Sequence, residues 1–528
     1  MSETQNAAVE ARADVALRSR HARPAATVGL AALAIANLLL HFIGIRHYGF
    51  FRDELYYMAC GEHLAWGYVD QPPLIAFVAW FERHLLGNSI ISVRILPVLA
   101  GAAVVFLTGL LARELGGGRY AELLAAAGIL FAPAYLAFNS FLSMNAFEPL
   151  LWLLCAWIVV RIVNGASPRL WLLAGLVAGI GLENKHTMLV FGFGITLGLL
   201  LSSQQQLFRS KWFWLGSLIA FALFLPNLFW EARHGWPQIE VVRNAQLYKN
   251  IPFSPARFLT DQIAFLNPLA LPVWLGGLAW FFLSREGKRF RFLGWTYLIT
   301  LAVFMILHGK SYYVLPAYTL LMAAGGVAVE AFTASRGLQW IRVTLPVLIV
   351  VAGLVATPFG IPLLPIDSFL GYSRLLPFSD VAKTERDAVG VELPQLYADM
   401  FGWPNMADTV ADVYNSLPAS DRSSCAILGG NYGEAGAIDY YGPALGLPKA
   451  LSGHNSYYYW GPRDYSGACV IIFGERSSEF IALFGDVHQA GTIVSPHAMP
   501  NERIVPVYIC RQPRAPLAVL WPHFKMII

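Results

Sequence analysis

Residues 28–57 read VGLAALAIANLLLHFIGIRHYGFFRDELYY and join a long apolar run to a short charged and aromatic motif. The apolar part, residues 28–45, is long enough to cross about 30 Å of hydrocarbon as a helix. The motif behind it places two carboxylates, Asp53 and Glu54, just beyond the end of that run. Adjacent residues of a helix point about 100° apart, so Asp53 and Glu54 cannot both face one atom. One of them can act as a base while its neighbour holds a partner.

The composition of the whole chain supports a membrane protein. Of the 528 residues, 56% are hydrophobic and 13% are charged, against about 45–50% and 25% in soluble domains. The net charge of +4 is too small and too dispersed for a nucleic-acid-binding surface, and the chain is too apolar for disorder. The five cysteines form no zinc-binding spacing, although one disulfide among Cys425, Cys469 and Cys510 is possible.

The apolar runs predict a polytopic α-helical protein with about eleven transmembrane helices. After the first span, the further runs lie near residues 92–112, 121–138, 146–163, 169–182, 187–202, 212–230, 264–283, 292–307, 314–332 and 343–358. Residues 1–24 carry four arginines and no cleavage site follows them, which indicates a cytoplasmic tail before an uncleaved span.

Basic residues recur in alternate loops, as the positive-inside rule requires of cytoplasmic loops. Examples are Arg113 and Arg119, Arg161 and Arg169, and the cluster around residues 285–291. This pattern predicts that the remaining stretches lie on the outer side of the membrane. We call them the outer stretches: residues 46–91, 139–145, 231–262 and 308–313, and everything after about residue 359.

The last part of the chain, residues 359–528, has the pattern of an outer α/β domain, appended to a transmembrane domain that covers residues 25–358. Short apolar strands such as residues 426–428 and 470–473 alternate with polar, glycine-rich stretches. The turn GGNYGEAG at residues 429–436 is not a G-x-G-x-x-G motif, so it does not indicate nucleotide binding. Residues 452–462 are rich in amides, hydroxyls and aromatic rings, which suits either a carbohydrate-binding loop or a packed loop core.

The pattern Asp53-Glu54-x-x-Tyr57 in the first outer loop, the many spans and the outer C-terminal domain together resemble the lipid-carrier-dependent glycosyltransferases of the C-type fold. This group includes bacterial aminoarabinose and galacturonosyl transferases and the protein O-mannosyltransferases. The resemblance covers roughly residues 25–330. It implies that Asp53 is the catalytic base, that Glu54 and Tyr57 line the site, and that a lysine–tyrosine–proline segment, matched by residues 310–316, meets the carrier lipid.

The function that this resemblance implies is transfer of a sugar from a polyprenyl-phosphate donor to a lipid or polysaccharide acceptor, with membrane lipids as partners and no nucleic acid. The leaving lipid phosphate needs cations, and the attacking hydroxyl needs a carboxylate. A single displacement at one carboxylate predicts inversion at the sugar carbon. The expected place is the outer, periplasmic face of a bacterial cytoplasmic (inner) membrane. The sequence predicts no certain cofactor; a divalent metal is possible, although no ligand triad has metal spacing.

Lys185 and Lys310 are the predicted partners of the leaving phosphate, because both stand at outer helix ends, where the positive-inside rule disfavours lysine. The alternative for either lysine is an interfacial side chain that reaches to the membrane surface. For Tyr312 and Tyr313 it is an aromatic belt, and for Glu148 an ion pair with Arg94 or Lys185. The complete predicted substrate-binding set is Arg52, Glu54, Tyr57, His63, Asp70, Gln71, Asn145, Glu148, Glu183, Lys185, His186, Lys310, Tyr312 and Tyr313.

Two other classes of function fit the composition. A transporter or flippase of lipid-linked sugars predicts ionisable residues near the bilayer midplane and broken helices in matching halves, whereas the conspicuous charges here lie at outer helix ends. A lipid phosphotransferase needs a Ser/Thr nucleophile beside a metal cluster, for which His454 and Asp464 alone make a weak case.

Overall fold

The computed structural model describes residues 25–376, 385–388, 391 and 393–528. The predicted cytoplasmic tail, residues 1–24, lies outside the described residues. Up to residue 373 the described chain is helical. The helices, in chain order, are α1 Ala25–Gly44, α2 Arg52–Glu62, α3 Leu74–Leu86, α4 Ile90–Glu114, α5 Arg119–Leu130, α6 Pro133–Phe138, α7 Met144–Val163, α8 Leu170–Asn184, α9 Thr187–Leu200, α10 Lys211–Arg233, α11 Pro237–Asn244, α12 Pro255–Phe265, α13 Leu271–Leu283, α14 Arg291–Ile306, α15 Tyr318–Ser335, α16 Ile341–Gly360 and α17 Ile366–Ser373.

Among the described residues, seven helices are long and apolar enough to cross a membrane. They are α1, α4, α7, α10, α16 and the two segments Gly287–Ile306 and Ser311–Ser335, which contain α14 and α15. α12 and the segment Pro268–Leu283 pass the same test together but are bent by 90°, which makes them a broken span or a re-entrant loop. All eleven predicted runs fall on helices, but four of them fall on short or broken ones. The number eleven therefore stays a prediction.

The short helix α8 packs closely against the long helix α10. A Cβ atom added to Gly175 of α8 would lie 2.0 Å from the carbonyl oxygen of Gly216 in α10. Such small residues let helix backbones approach each other in a bilayer, where van der Waals contact drives helix association. α8 is thus a short helix packed among longer ones, as its length in the sequence suggests.

Polar contacts join the loops that the sequence places on the cytoplasmic side. Arg113 forms an ion pair with Glu122 at 2.7 Å, and the backbone N–H of Gly118 donates to Glu330 at 2.6 Å. The ion pair closes the loop between α4 and α5. The hydrogen bond joins that loop to α15, so segments far apart in the chain meet at one end of the helix bundle.

The C-terminal α/β region, residues 393–528, is built on a four-stranded sheet in the order β1-β2-β4-β3. Its strands are β1 Cys425–Gly429, β2 Cys469–Phe473, β3 Phe484–Val494 and β4 Ile504–Pro513. β1 and β2 run parallel and are joined at their first residues by the disulfide Cys425–Cys469, while β4 is antiparallel to both of its neighbours. The helices of this region are α18 Gln395–Ala398, α19 Trp403–Asn415, α20 Ala419–Arg422, α21 Tyr432–Tyr441, α22 Ser456–Trp460, α23 Ser477–Phe480 and α24 Leu517–Leu520.

The first outer loop and the C-terminal α/β region share one hydrophobic core. Leu55 and Tyr56 of α2 belong to the same cluster of buried residues as Ile427 of β1 and Ile438 of α21, and α21 packs directly on α2. The two parallel strands are buried along their whole length, which explains their continuous apolar sequences. The helix that carries Asp53 is therefore held in place by packing against the C-terminal α/β region.

Candidate active site

A cavity of about 740 Å³ lies between α2, the ends of several long helices and the C-terminal α/β region. Each of the outer stretches contributes to its wall. The wall includes Asp53 from the first stretch, Asn145 from the second, Lys249 from the third, Lys310 from the fourth and Tyr432 from the last. The stretches that the charge pattern places on one side of the membrane thus meet at one cavity.

α2 separates its two acids in the way that helical geometry predicts. Asp53 lines the cavity, and its side chain is 28% exposed. The hydroxyl of Tyr432 donates a hydrogen bond of 2.8 Å to Oδ1 of Asp53. The position of Asp53 in the first turn of α2 also suits a negative charge, because the helix dipole favours anions there.

Glu54 faces the opposite way and is fully buried. Arg94 binds it through two contacts, Nη2 to Oε2 at 2.6 Å and Nε to Oε1 at 2.9 Å, and the backbone N–H of Leu142 also donates to Oε1. The prediction that Glu54 lines the site is therefore wrong. Its carboxylate anchors α2 to the helix bundle and does not line the cavity. Removing one partner of such a buried ion pair strongly destabilises the folded protein, because the other charge stays buried without a partner.

Asp70 is the second carboxylate in the cavity wall. It accepts hydrogen bonds from the hydroxyl of Tyr56 at Oδ1 (2.8 Å) and from Nδ2 of Asn455 at Oδ2 (3.1 Å). Burial raises the pKa of Asp70 to about 6, and the negative charge of Asp53 adds to that effect. Both oxygens of Asp70 already have donors, whereas Asp53 keeps exposed surface in the cavity.

Three cations line the cavity and converge on one carboxylate. Arg52, Lys249 and Lys310, which we call the cation cluster, lie 3.3, 3.5 and 3.4 Å from the carboxylate oxygens of Glu385. Burial alone would raise the pKa of Glu385, but Lys249, Lys310 and Arg52 outweigh it and hold that pKa well below its usual range. The cluster is thus arranged to bind an anionic group with several charge-assisted contacts.

Lys185 supports an aromatic and polar part of the cavity wall. Tyr312, Tyr313 and Asn145 line the cavity. The ammonium of Lys185 lies 4.3 Å from the ring centroid of Tyr313, donates to Oδ1 of Asn145 at 2.7 Å and pairs with Glu148 at 3.0 Å. Lys185 itself does not line the cavity. The prediction that it contacts the leaving phosphate is therefore wrong, and it supports the cavity wall instead.

The cavity wall also contains a large apolar surface. It is formed by side chains of α6, α11 and α16 and of the segment after α14, including Phe138, Val242, Val355 and Leu307. A ligand with an anionic group and a hydrocarbon chain matches this combination of a cation cluster and an apolar wall.

Of the predicted residues, Arg52, Asp53, Tyr57, Asp70, Asn145, Lys310, Tyr312 and Tyr313 line the cavity, and Glu54, His63, Gln71, Glu148, Glu183, Lys185 and His186 do not. The imidazole of His63 stacks on Trp460 with ring centroids 4.1 Å apart, and the amide of Gln71 donates to Sγ of Cys60 at 3.6 Å.

The other three residues outside the cavity have different surroundings. Glu148 pairs with Lys185 and not with Arg94, and also accepts a hydrogen bond from Thr187. Nε2 of His186 shares a hydrogen bond of 3.0 Å with Oδ1 of Asn227, and both carboxylate oxygens of Glu183 are buried. Sequence position fixes the level of a residue along a helix but not the direction of its side chain, which accounts for these corrections.

Sequence reasoning missed Lys249, Glu385 and Tyr432. Lys249 ends a short π-helical turn after α11, and the cavity-lining residues Val241, Val242 and Ala245 precede it at helical spacing. This helical spacing could have indicated from the sequence that Lys249 lines the cavity. Three other basic residues of the same outer stretch, Arg233, His234 and Arg243, do not line the cavity. Tyr432 lies in the glycine-rich turn after β1, where nothing local indicates contact with α2.

Within the described part of the chain, no group of three or more His, Cys, Asp or Glu side chains is placed to hold a metal ion. The cavity carboxylates Asp53 and Asp70 are instead engaged by hydroxyl and amide donors.

One known family model matches part of this chain. The family model described as dolichyl-phosphate-mannose-protein mannosyltransferase matches residues 70–230, less than a third of the chain. This segment begins at Asp70 and ends at Trp230 in α10, so it includes the cavity residue Asn145 but not Asp53. A search of curated proteins returns no significant match.

Solved structures resemble the chain over most of its length. The crystal structure of ArnT from Cupriavidus metallidurans in the apo state is 14% identical, with a TM-score of 0.59 over 92% of this chain and 98% of that chain. The same protein bound to undecaprenyl phosphate is also 14% identical, with a TM-score of 0.57 over 90% and 97% of the two chains.

A third similar structure is the archaeal oligosaccharyltransferase AglB from Archaeoglobus fulgidus in complex with an inhibitory peptide and a dolichol-phosphate. It is 11% identical, with a TM-score of 0.51 over 85% of this chain and 70% of that chain. The resemblance that the first outer loop indicates is therefore confirmed at the level of architecture: this multi-pass membrane protein has the fold of the C-type glycosyltransferases.

Proposed function

We propose that this protein is an inverting glycosyltransferase that moves a sugar from a polyprenyl-phosphate donor to a lipid or polysaccharide acceptor at the outer face of a bacterial cytoplasmic membrane. The observation that carries the proposal is the cavity itself. It brings the carboxylate of Asp53 together with the cation cluster and an apolar wall.

The cation cluster suits the leaving group of such a donor. Breaking the sugar–phosphate bond leaves a lipid phosphate, whose negative charge grows in the transition state and is stabilised by preorganised cations. Arg52, Lys249 and Lys310 supply these cations, and the phosphate takes over the contacts that they now make with Glu385. The apolar wall then accommodates the first part of the polyprenyl chain.

Asp53 is the base in this mechanism. The acceptor hydroxyl loses its proton to the carboxylate of Asp53 as its oxygen attacks the sugar carbon, and the lipid phosphate leaves from the opposite face. Asp70 is a poorer candidate because both of its oxygens already accept hydrogen bonds. One carboxylate with an oxygen left for the acceptor supports a single displacement with inversion.

Two independent features favour the outer face of the membrane for this site. Each of the outer stretches, which the positive-inside rule assigns to the outer side, contributes residues to the cavity, together with parts of the membrane helices. The C-terminal α/β region also contains the disulfide Cys425–Cys469, and disulfides persist mainly outside the cytoplasm. A lipid-phosphate ligand also agrees with the solved relatives that were captured with undecaprenyl phosphate and with a dolichol-phosphate.

The test is transfer by the full-length protein, reconstituted in liposomes, from a panel of radiolabelled polyprenyl-phosphate sugars to lipid and polysaccharide acceptors. We expect covalent transfer by the wild-type protein. Asp53→Asn keeps the size of the side chain but removes the base, so turnover should fall by about 10²-fold or more with little change in donor affinity.

The matched control is Asp412→Asn, an exposed aspartate-to-asparagine change in α19, which should leave turnover unchanged. Near-normal transfer by Asp53→Asn would remove Asp53 from the mechanism. Movement of the donor across the bilayer without transfer would instead identify a flippase, and transfer of the phosphate group would identify a phosphotransferase.

A further inference from the structure

We propose that the C-terminal α/β region is a working part of the active site: its residues Tyr432 and Asn455 position the two cavity carboxylates. This inference rests on the proposed function, because it assigns these residues a task in sugar transfer. It gives the region a role beyond covering the membrane helices.

Tyr432 is held firmly where it meets Asp53. Its ring stacks on Tyr56 with centroids 4.5 Å apart and lies 4.4 Å from the ring of His454. Its backbone N–H donates to Nδ1 of His454 at 3.3 Å, and Asn431 caps the helix that Tyr432 begins. Because the ring is fixed on both sides, the hydroxyl that donates to Asp53 has little freedom to turn away.

The hydrogen bond from Tyr432 leaves one oxygen of Asp53 for the substrate. The hydroxyl donates to Oδ1, and the nearest guanidinium nitrogen of Arg52 lies 3.8 Å from the same oxygen. Oδ2 has no hydrogen-bond donor within the described part of the chain. Fixing Oδ1 orients the carboxylate so that Oδ2 can accept the proton of the acceptor hydroxyl.

Asn455 holds Asp70 in a similar way. Its side chain donates from Nδ2 to Asp70 at 3.1 Å, while its Oδ1 accepts the backbone N–H of Ile528 at 3.0 Å. The backbone of Asn455 has a φ of 46°, in the left-handed region that asparagine tolerates better than most residues. The neighbouring Ser456 shares a hydrogen bond of 2.7 Å with Tyr56, the other donor to Asp70. Both cavity carboxylates thus depend on donors that the same region supplies or orients.

The groups that face Asp53 come from four parts of the chain. They are Arg52 and Tyr57 of α2, Asp70 of the first outer loop, Tyr312 after α14, and Asp399 and Tyr432 of the C-terminal α/β region. Among these, Tyr432 is the residue whose hydroxyl contacts the carboxylate directly, so its removal should change the protonation of Asp53 without moving the other groups.

The decisive variant is Tyr432→Phe, which keeps the stacked ring and removes only the hydroxyl. In the transfer assay with the reconstituted full-length protein, we expect the acidic limb of the kcat/KM profile to move to higher pH by about one unit, because one donor to a charged group is lost. We expect kcat at neutral pH to fall by about 3- to 10-fold.

The matched control is Tyr457→Phe. Tyr457 is also buried in the C-terminal α/β region and also donates to an aspartate, Asp439, at 2.8 Å, but neither residue lines the cavity. This variant should lower thermal stability and leave the pH profile in place. Asn455→Asp is the second test: it replaces the donor to Asp70 by an acceptor of the same size, and should raise the donor KM by about tenfold with a smaller change in kcat.

A spectroscopic readout separates failure of this inference from failure of the proposed function. Infrared difference spectra recorded during a pH titration follow carboxyl protonation, and Asp53→Asn identifies the band of Asp53. In Tyr432→Phe that band should titrate at higher pH whether or not any sugar is transferred. The inference would be overturned if Tyr432→Phe and the wild type had the same pH profile of kcat/KM and the same titration of the Asp53 band. Absence of transfer by the wild type with an altered titration in Tyr432→Phe would overturn the proposed function alone.

Discussion

Asp53 and Glu54 are neighbours in the chain, yet they have different tasks because a helix turns each residue by about 100° from the last. Asp53 lines the cavity, whereas Glu54 is closed off by Arg94. The same distinction separates two lysines at outer helix ends: Lys310 reaches the cavity and Lys185 supports its wall. At this scale, charge and sequence position identify candidates, and side-chain direction decides between them.

Lys249 and Lys185 offer a direct comparison of a ligand-binding and a supporting lysine. Lys249→Met should weaken binding of polyprenyl phosphate by about 10- to 100-fold, because one charge-assisted contact to the phosphate is lost. Lys185→Met should weaken binding less and lower the melting temperature more, since it leaves the buried Glu148 without its partner. Titration of detergent-solubilised protein with polyprenyl phosphate measures both. Equal losses of affinity in the two variants would contradict the assignment.

Glu385 predicts a pH dependence of stability. Its pKa in the folded protein lies well below the usual value because of Lys249, Lys310 and Arg52, whose effect exceeds that of burial. The folded state therefore binds this proton less readily than the unfolded state. The stability that Glu385 contributes is complete above its unfolded pKa of about 4.3 and is lost as the pH falls through its folded pKa.

Glu385→Gln should consequently lower the free energy of unfolding by about 1–3 kcal/mol at pH 7, and the difference from the wild type should shrink below about pH 4. Denaturant unfolding at several pH values measures this difference. Glu240→Gln, which breaks the exposed pair with Lys525, should cost under about 1 kcal/mol. A Glu385→Gln effect that grew on acidification would have the wrong sign.

Among the elements, α2 and α21 are the pair on which the site depends. α21 approaches α2 closely through two glycines: a Cβ atom added to Gly433 would lie 2.4 Å from Cγ of Arg52, and one added to Gly436 would lie 3.0 Å from the backbone of Leu55. These glycines are spaced for one helix face. Their small size lets the C-terminal α/β region reach Asp53.

Gly433→Ala tests this contact between elements. The new methyl group must displace Arg52, which belongs to the cation cluster, so we expect affinity for polyprenyl phosphate to fall by about 10-fold. Gly371→Ala is the control, because Gly371 lies in α17 with no atom within 4 Å of an added Cβ; alanine there should leave affinity unchanged and favour the helix slightly. Unchanged affinity in Gly433→Ala would show that α2 and α21 adjust without disturbing Arg52.

The whole molecule is arranged around contact between the helix bundle and the C-terminal α/β region. The cavity takes residues from each outer stretch, so no segment alone contains the site. The shared core of α2, β1 and α21 explains how the region stays in place. Such a site suits the proposed sugar transfer, because a lipid-linked donor and its acceptor must meet at the membrane surface.

The disulfide Cys425–Cys469 is expected to stabilise this arrangement. It closes a loop with a sequence separation of 44 residues, for which the chain-entropy relation gives about 4 kcal/mol. Replacing both cysteines by alanine should therefore lower the stability of the C-terminal α/β region by about 2–4 kcal/mol, measurable by denaturant unfolding followed by limited proteolysis. Cys510→Ala, at a buried free cysteine, serves as the control. A double variant no less stable than that control would refute the prediction.

The amino-acid sequence by itself determined the class of this protein, the positions of its apolar helices, the side of the membrane on which each loop is expected, and Asp53 as the candidate base. The first three follow from local properties: run length, charge bias and the period of the helix. The role of Asp53 follows from the resemblance of the first outer loop to a known family. The tertiary structure alone decided that Glu54, Lys185 and Glu148 support the site and do not line it, and that Lys249, Glu385 and Tyr432 do line it. Which way a side chain faces, and which distant segment it meets, depends on how the helices pack and on the fold of a region almost 400 residues away, and no local pattern around Asp53 contains that information.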